Sequence, residues 1–359
     1  MTSSIIIPPS TSTVDVSIID TTSTIHFPTS IFVAPEINGV KSQTAKSYAF
    51  LIEHKPTGRR LVFDLGVRKD YQNLAKPIYD SLIGSGVFTL DVQKNVADIL
   101  TENGVELDTI DAIIWSHTHF DHVGDPSTFP SSTSLIVGPG VPASVLPAYP
   151  INPSGELLDS DFSGRPLVEI QRAQFDTTIG GYKAHDFFHD GSFYLLDVPG
   201  HSIGHMCGLA RTISDGKDTF ILMGADTVHH AGQLRPSHGV PLPEQIAPSP
   251  YGGSIACPGE IFEAIHPAPE KYRTSPFYRI NVDENGRSVA NDPVEAEHSV
   301  DHMKEFDALD NVLVAFAHDS CLEGVVETFP LKANGWKAAG WKELSRWRFL
   351  SDWKVEASH

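Results

Sequence analysis

The sequence predicts an α+β fold, and three observations carry that prediction. Short apolar runs of strand length recur along the chain, and several stop at a His or an Asp. Helical spacing of apolar residues is confined to separate stretches, chiefly 91–104, 259–265, 295–305 and the Trp-rich 336–353. Hydrophobic residues make up 40% of the 359, enough for a sizeable core in one large domain or two ordinary ones.

The first 45 residues are rich in Ser, Thr, Ile and Pro, with a strand at 14–20. Strands at 47–53 and 60–64 are joined by Lys55-Pro56-Thr57-Gly58, a turn signal, and Asp64-Leu65-Gly66 closes the second. A helix is expected over 91–104, with Asp91 as cap, Val92, Val96, Ile99 and Leu100 as apolar face and Gly104 as stop. The apolar run 110–115 reads as a buried strand, and 135–138 as another. Residues 139–165 read as an irregular insertion, with Tyr149, Phe162, Phe187 and Phe188 as candidate cleft walls. Three further strands each lead to a possible ligand. They run 194–198 before Pro199-Gly200-His201, 219–226 ending at Asp226, and 311–317 before His318-Asp319. The stretch 229–300 is long and Pro-rich, with short helices near 259–265 and 295–305 and a cap around Pro276-Phe277-Tyr278. Trp341, Leu344, Trp347 and Leu350 fall at helical spacing, so a C-terminal helix is expected to pack on the sheet.

The stretch with the most chemistry is Ser116-His117-Thr118-His119-Phe120-Asp121-His122, on the loop leaving the 110–115 strand. Three imidazoles and a carboxylate within six residues suit zinc or a similar borderline metal, because calcium and magnesium prefer oxygen shells. Side chains alternate in an extended segment, so His117 and His119 point one way, and a turn presents Asp121 and His122 to a second position. One loop can thus feed two metals about 4 Å apart, the separation of two-metal hydrolases.

This H-x-H-x-D-H stretch, Pro199-Gly200-His201-Ser202-Ile203-Gly204-His205, the strand-end Asp226 and His318 together resemble the metallo-β-lactamase superfamily. The matched motifs run from Asp64 to His318. The resemblance implies an αββα sandwich, two mixed sheets packed face to face with helices outside and the metals at one edge. It implies that His117, His119 and His201 hold one metal, that Asp121, His122 and His318 hold the other, and that Asp226 bridges. It implies two divalent ions, with zinc expected, and a hydroxide between them as nucleophile. Asp121 would also orient the nucleophile or shuttle its proton, Asp64 would orient a ligand histidine, and His205 would stay outside the metal shell. The domain reading is then an N-terminal extension over 1–45, a catalytic domain over 46–320 with insertions near 139–190 and 229–300, and a C-terminal Trp-rich helical segment over 321–359.

Within the superfamily, Phe50-Leu51-Ile52-Glu53-His54, the Phe120-Asp121-His122-Val123-Gly124 context and Ala317-His318-Asp319 are most similar to the acyl-homoserine lactonase group. That implies a metal-dependent hydrolase opening a lactone. The chain departs from the group at one place. The group has a Tyr three residues after the bridging Asp, whereas this chain has His229 followed by His230. His229 is the candidate catalytic donor to the carbonyl in its stead. The departure makes a cyclic amide or carbamate, a lactam-type xenobiotic, the rival substrate. The same ligands also serve glutathione-thioester hydrolases and mono-iron sulfur dioxygenases, which stay as alternatives.

Composition bounds the partners. A formal charge of −19, with no Lys/Arg cluster, counts against nucleic acid and anionic lipid surfaces. No run reaches the roughly 18 apolar residues needed to span a membrane. The N-terminus lacks a basic region before its apolar run, so no secretory signal is expected. Cys207, Cys257 and Cys321 are widely spaced and odd in number, which suggests a reducing compartment, and the cytoplasm is the expected location. The expected partner is a small-molecule substrate, without nucleic acid or membrane, and a homodimer is compatible with the chain.

Overall fold

The computed structural model describes residues 5–354. The outer ends of the expected N-terminal extension and C-terminal segment, 1–4 and 355–359, lie outside the described residues. Two mixed sheets form the body. The seven-stranded sheet has the spatial order Thr89–Val92, Asp15–Pro28, Ser42–His54, Arg59–Phe63, Ala112–Ile114, Ser134–Val137, Leu167–Glu169. The six-stranded sheet runs Val312–Phe316, Thr219–Ala225, Met206–Ile213, Phe193–Asp197, Tyr182–Asp186, Thr177–Ile179.

The sheets pack face to face because their strands are apolar on both sides. In Ser42–His54, the side chains of Tyr48, Phe50 and Ile52 enter a core shared with Phe193, Leu195, Ile221 and Met223 of the other sheet. The alternate residues Ala49 and Leu51 turn outward, onto Val96, Ile99 and Leu100 of the helix Val96–Glu102. On the opposite face, Val300, Met303 and Phe306 of the helix Pro293–Asp307 cover Leu196, Leu222 and Val314. The αββα sandwich is thus the observed architecture. No helix among the described residues is long and apolar enough to cross a membrane.

Strand direction gathers the loops. Arg59–Phe63, Ala112–Ile114 and Ser134–Val137 are mutually parallel, and Thr219–Ala225 is parallel to Val312–Phe316. The carboxyl ends within each parallel set therefore lie along one sheet edge, and the loops leaving them meet there.

Two expected helices differ from the prediction. Residues 91–92 belong to an edge strand, with Asp91 opposite Thr24, and the helix begins only at Val96. Its start is fixed by Asp98, whose carboxylate accepts the Asn95 N–H at 3.0 Å. The C-terminal stretch is two short pieces, Trp341–Ser345 and a 3-10 turn Arg348–Asp352, and Leu344 is exposed. Trp341, Trp347 and Leu350 of the expected face are buried, and Trp336 and Trp353, both fully buried, add packing from outside it.

The insertion is anchored by a buried acid. Asp161 Oδ2 accepts the Leu158 N–H at 2.9 Å, while Oδ1 is buried without a hydrogen-bond partner. Burial pushes its carboxyl up to about 7, against the opposing pull of the Leu158 N–H and Arg68. The folded chain then binds this proton more tightly than the unfolded chain, whose carboxyl titrates near about 3.9. Its stability contribution is full below that value and declines as pH rises toward 7. Asp161→Asn should remove the decline, so that it gains about 2 kcal/mol on the parent between about pH 5 and pH 8 in urea unfolding. Parallel stability profiles for the two proteins would show that Asp161 is not the source.

Candidate metal centre

The loop after Ala112–Ile114 carries the imidazoles out of the sheet and into one turn of helix, Phe120–Val123. This change from extended to helical backbone separates the two pairs. His117 and His119 face His201 and Asp226, whereas Asp121 and His122 face His318 and Asp226. In each group the candidate ligand atoms lie within 4.8 Å of one another.

Asp226 belongs to both groups through different oxygens. Oδ2 is 3.7 Å from His117 Nε2 and 3.6 Å from His201 Nε2. Oδ1 is 3.0 Å from His122 Nε2 and 3.3 Å from His318 Nε2. Local backbone aims this carboxylate. The register with Val312–Phe316 slips between Met223 and Ala225, and Ala225 has a left-handed φ of 43°. Such a bulge re-aims the next side chain, here Asp226, out of the sheet alternation.

The outward nitrogens are committed to fixed partners. His122 Nδ1 lies 2.8 Å from Asp64 Oδ2, and His318 Nδ1 lies 2.8 Å from the Lys46 carbonyl. Ser116 Oγ donates to Asp64 Oδ2 at 2.7 Å and lies 3.0 Å from His117 Nδ1. These contacts set ring orientation and leave Nε2 facing inward. Asp64 also holds a left-handed φ of 61° and accepts the Ser116 N–H at 2.7 Å. His205 stands behind the carboxylate. Its Nδ1 is 2.9 Å from the Val198 carbonyl and its Nε2 accepts the Asp226 N–H at 3.2 Å.

The arrangement fits metal ions. His201 Nε2 lies 3.2 Å from His117 Nε2 and 3.0 Å from His119 Nδ1, a convergence of three ring nitrogens that suits a cation at their centre. Burial holds His117 and His201 well below the usual histidine range, the neutral form that binds metal. His122 Nε2 and Asp226 Oδ1 are buried and 3.0 Å apart, yet neither is in hydrogen-bonding geometry. Burial alone would raise the Asp226 carboxyl, but His122, His318 and His229 around it hold it well below the carboxylate range. Burial likewise opposes charge on His318, yet Asp226 and Asp121 bring it up to about 10. The second group thus attracts positive charge, which cations would supply in place of protons.

The two consecutive histidines go to different places. His229 Nε2 is 3.2 Å from Asp226 Oδ2, so this ring stands at the centre. His230 turns away, with Nε2 2.9 Å from Asp352 Oδ2. Two cavities of about 250 Å³ each reach the centre. One is apolar, walled by Ile31, Phe32, Ile78, Leu82, Phe88 and Phe120, and touches His119, Asp121 and Asp226. The other is mixed, with Ser42, Gln43, Thr44, His229, His318 and Ser320 beside Val40, Ala45 and Phe316. Among the described residues no Lys or Arg lines either cavity.

Three of the four expected cleft aromatics are elsewhere. Phe162 packs edge-on against Trp115, 5.6 Å between centroids, and Phe187 and Phe188 lie under Arg59. The aromatic walls that the sequence reading missed are Phe32, Phe88 and Phe120. Phe120 had a signal, since it sits inside the ligand loop. Phe32 and Phe88 lie in segments with no motif.

A sequence model of the metallo-beta-lactamase superfamily matches residues 44–260. The chain is 47% identical over 355 residues to the gamma-lactamase FDB1 of Fusarium pseudograminearum (strain CS3096), spanning 97% of this chain and 84% of that one. It is 41% identical over 358 residues to the metallo-hydrolase mfmC of Annulohypoxylon moriforme, spanning 98% and 91% respectively. Its fold is similar to that of an N-acyl homoserine lactone hydrolase solved with N-hexanoyl-L-homoserine at its catalytic metal center. That likeness has a TM-score of 0.57 at 17% identity, over 89% of this chain and 99% of the other.

Proposed function

The chain belongs to the metallo-β-lactamase superfamily, and from that membership we propose that it is a dinuclear hydrolase opening a small, uncharged cyclic amide or carbamate. His117, His119 and His201 would hold one ion, Asp121, His122 and His318 the other, and Asp226 both. The imidazole-rich donor set suits zinc. When bound, two such ions polarise a carbonyl and acidify water. The observation that carries this reading is Asp226, whose two oxygens face two different groups of histidines.

The chain's own residues supply the rest. Water adds to the carbonyl carbon, the ring C–N bond breaks, and a proton must reach the departing nitrogen. Asp121 Oδ2, 3.3 Å from His318 Nε2, is placed to orient the water and accept its proton. His229, beside Asp226, is the donor to the carbonyl oxygen or the departing nitrogen. The apolar cavity takes the body of the substrate and excludes bulk water. The amide moves ahead of the lactone because the relative at 47% identity is named a gamma-lactamase, whereas the lactone hydrolases share the fold at low identity. The absence of cationic walls among the described residues gives no support to glutathione substrates, whose carboxylates need basic partners.

The test is a screen of zinc-loaded protein against γ-lactams, cyclic carbamates and lactones, read by mass gain of one water. Opening of lactones alone would discard the amide reading, and no opening of any ring would discard the cyclic substrate. A companion prediction concerns His229. His229→Ala should lower kcat by roughly 10²–10³, the effect of losing one donor to a developing oxyanion, with bound metal unchanged. His230→Ala should change turnover far less, since that ring is turned to Asp352. Near-normal turnover in the His229 variant would remove it from the chemistry.

A further inference from the structure

Phe32 belongs to no ligand motif, yet its ring lies on His229. The two rings are parallel within 15°, with centroids 4.1 Å apart. The hydrogen bond from His229 Nε2 to Asp226 Oδ2 fixes one atom of the imidazole but not its plane. The His229 backbone is held independently, its N–H donating to Gln233 Oε1 at 2.7 Å. The Phe32 ring is the closest of the rings that restrict rotation about the Nε2···Oδ2 line, ahead of His201 at 5.0 Å and of His318, parallel within 16° but 6.1 Å away.

Phe32 is itself held from three sides. Its carbonyl accepts the Asn281 N–H at 2.9 Å, and the next residues, Val33–Ala34, pair antiparallel with Arg279–Ile280. The Asn281 side chain donates to the Ser30 carbonyl. Its ring stands edge-on to Phe27 at 5.0 Å and 85°, and to Phe88 at 6.3 Å and 72°. Phe88 in turn stands edge-on to Phe120 at 5.6 Å and 78°. These edge-to-face contacts are the favoured aromatic geometry and leave the Phe32 ring little freedom. Phe32 walls the apolar cavity, His229 walls the mixed one, and both touch a small third cavity beside His201 and Asp226.

We propose that Phe32 is a positioning residue that sets the plane of the His229 imidazole. The kinetic part of this rests on the proposed role of His229 as donor; the stacking part does not. A substrate would then meet His229 with its carbonyl while its body stays on the Phe32 side.

The test uses zinc-loaded protein carrying ¹³C-labelled histidine, with the His229 ring signals assigned by their loss in His229→Gln. A ring at stacking distance moves those signals upfield. Phe32→Leu should remove most of the upfield shift, leaving only what the more distant His318 and His201 rings contribute, and Phe32→Tyr should keep it. On a substrate found in the screen, Phe32→Leu should lower kcat about tenfold or more with KM little changed, because misorienting a reacting group acts on the chemical step. Phe32→Tyr should restore most of the rate. In a His229→Ala background, Phe32→Leu should add no more than about a twofold loss, since the two act as one unit. An unchanged His229 signal in folded Phe32→Leu protein overturns the proposal. So does a rise in KM alone that adds fully to His229→Ala, which would make Phe32 only a cavity wall. If no ring is hydrolysed, the functional reading fails while the ring signals still decide the stacking.

Discussion

Replacing Asp226 with alanine should abolish hydrolysis and empty both metal groups. Each group loses the oxygen that only this side chain supplies, since Oδ2 faces His117 and His201 while Oδ1 faces His122 and His318. Losing a residue that merely orients a ligand costs about 10–100-fold in metal affinity or activity, and losing a shared ligand should exceed that range at both positions. Asp226→Asn keeps the shape but not the charge and should still lose most activity. The backbone is expected to survive in both variants, because the residue-226 N–H still donates to His205 and the Ala225 bulge is upstream. The readouts are elemental analysis after dialysis and kcat on the best substrate from the screen. An alanine variant with two metals and full turnover would show that another group bridges.

Chelation of the parent protein should remove two metals together, stop turnover and lower the melting temperature. The ions would bind side chains that the unfolded chain scatters, so each saturated site would add RT ln(1 + [metal]/Kd), about 4 kcal/mol at a thousandfold excess over Kd. For two sites in a chain of this size, a fall on the order of 10 °C is expected. If Asp226 is shared as proposed, the losses should be cooperative, since emptying one group removes the partner charge that orders the carboxylate for the other. Readdition of zinc should restore both stability and rate. A single ion per chain after reconstitution, or an apo protein that melts where the holo protein does, would rule out the two-ion centre.

Legibility in the sequence tracks burial. The runs 110–115, 194–198, 219–226 and 311–317 are mostly apolar because they lie inside a two-sheet sandwich, and such runs are visible without knowing their neighbours. Parallel pairing delivers the ends of 110–115, 219–226 and 311–317 to one edge, while 194–198, antiparallel to both its neighbours, brings His201 there by its own direction. Features that depend on distant pairing were not readable. Asp91 looked like a helix cap, but opposite Thr24 it is an edge-strand residue. Phe32 has no local signal, and its place depends on strand pairing with Arg279–Ile280, far along the chain. The separate fates of His229 and His230 were equally hidden, because the second depends on Asp352. The Trp-rich stretch misled in the other direction: its apolar spacing suggested one helix, whereas Trp336 and Trp353 are buried from either side of a broken one.

The proposed ligands are split between the layers. His117, His119, Asp121 and His122 leave the seven-stranded sheet, while His201, Asp226 and His318 leave the six-stranded one. Bound ions would thus rivet one sheet to the other at the edge where both end, and the rivets fit only if both sheets are in register. A one-residue slip of Val312–Phe316 along Thr219–Ala225 would send alternate side chains to opposite faces and carry His318 out of reach. Metal uptake then inspects the assembly of the sandwich, and the metal bound per chain in a preparation would count the molecules whose two layers have met correctly.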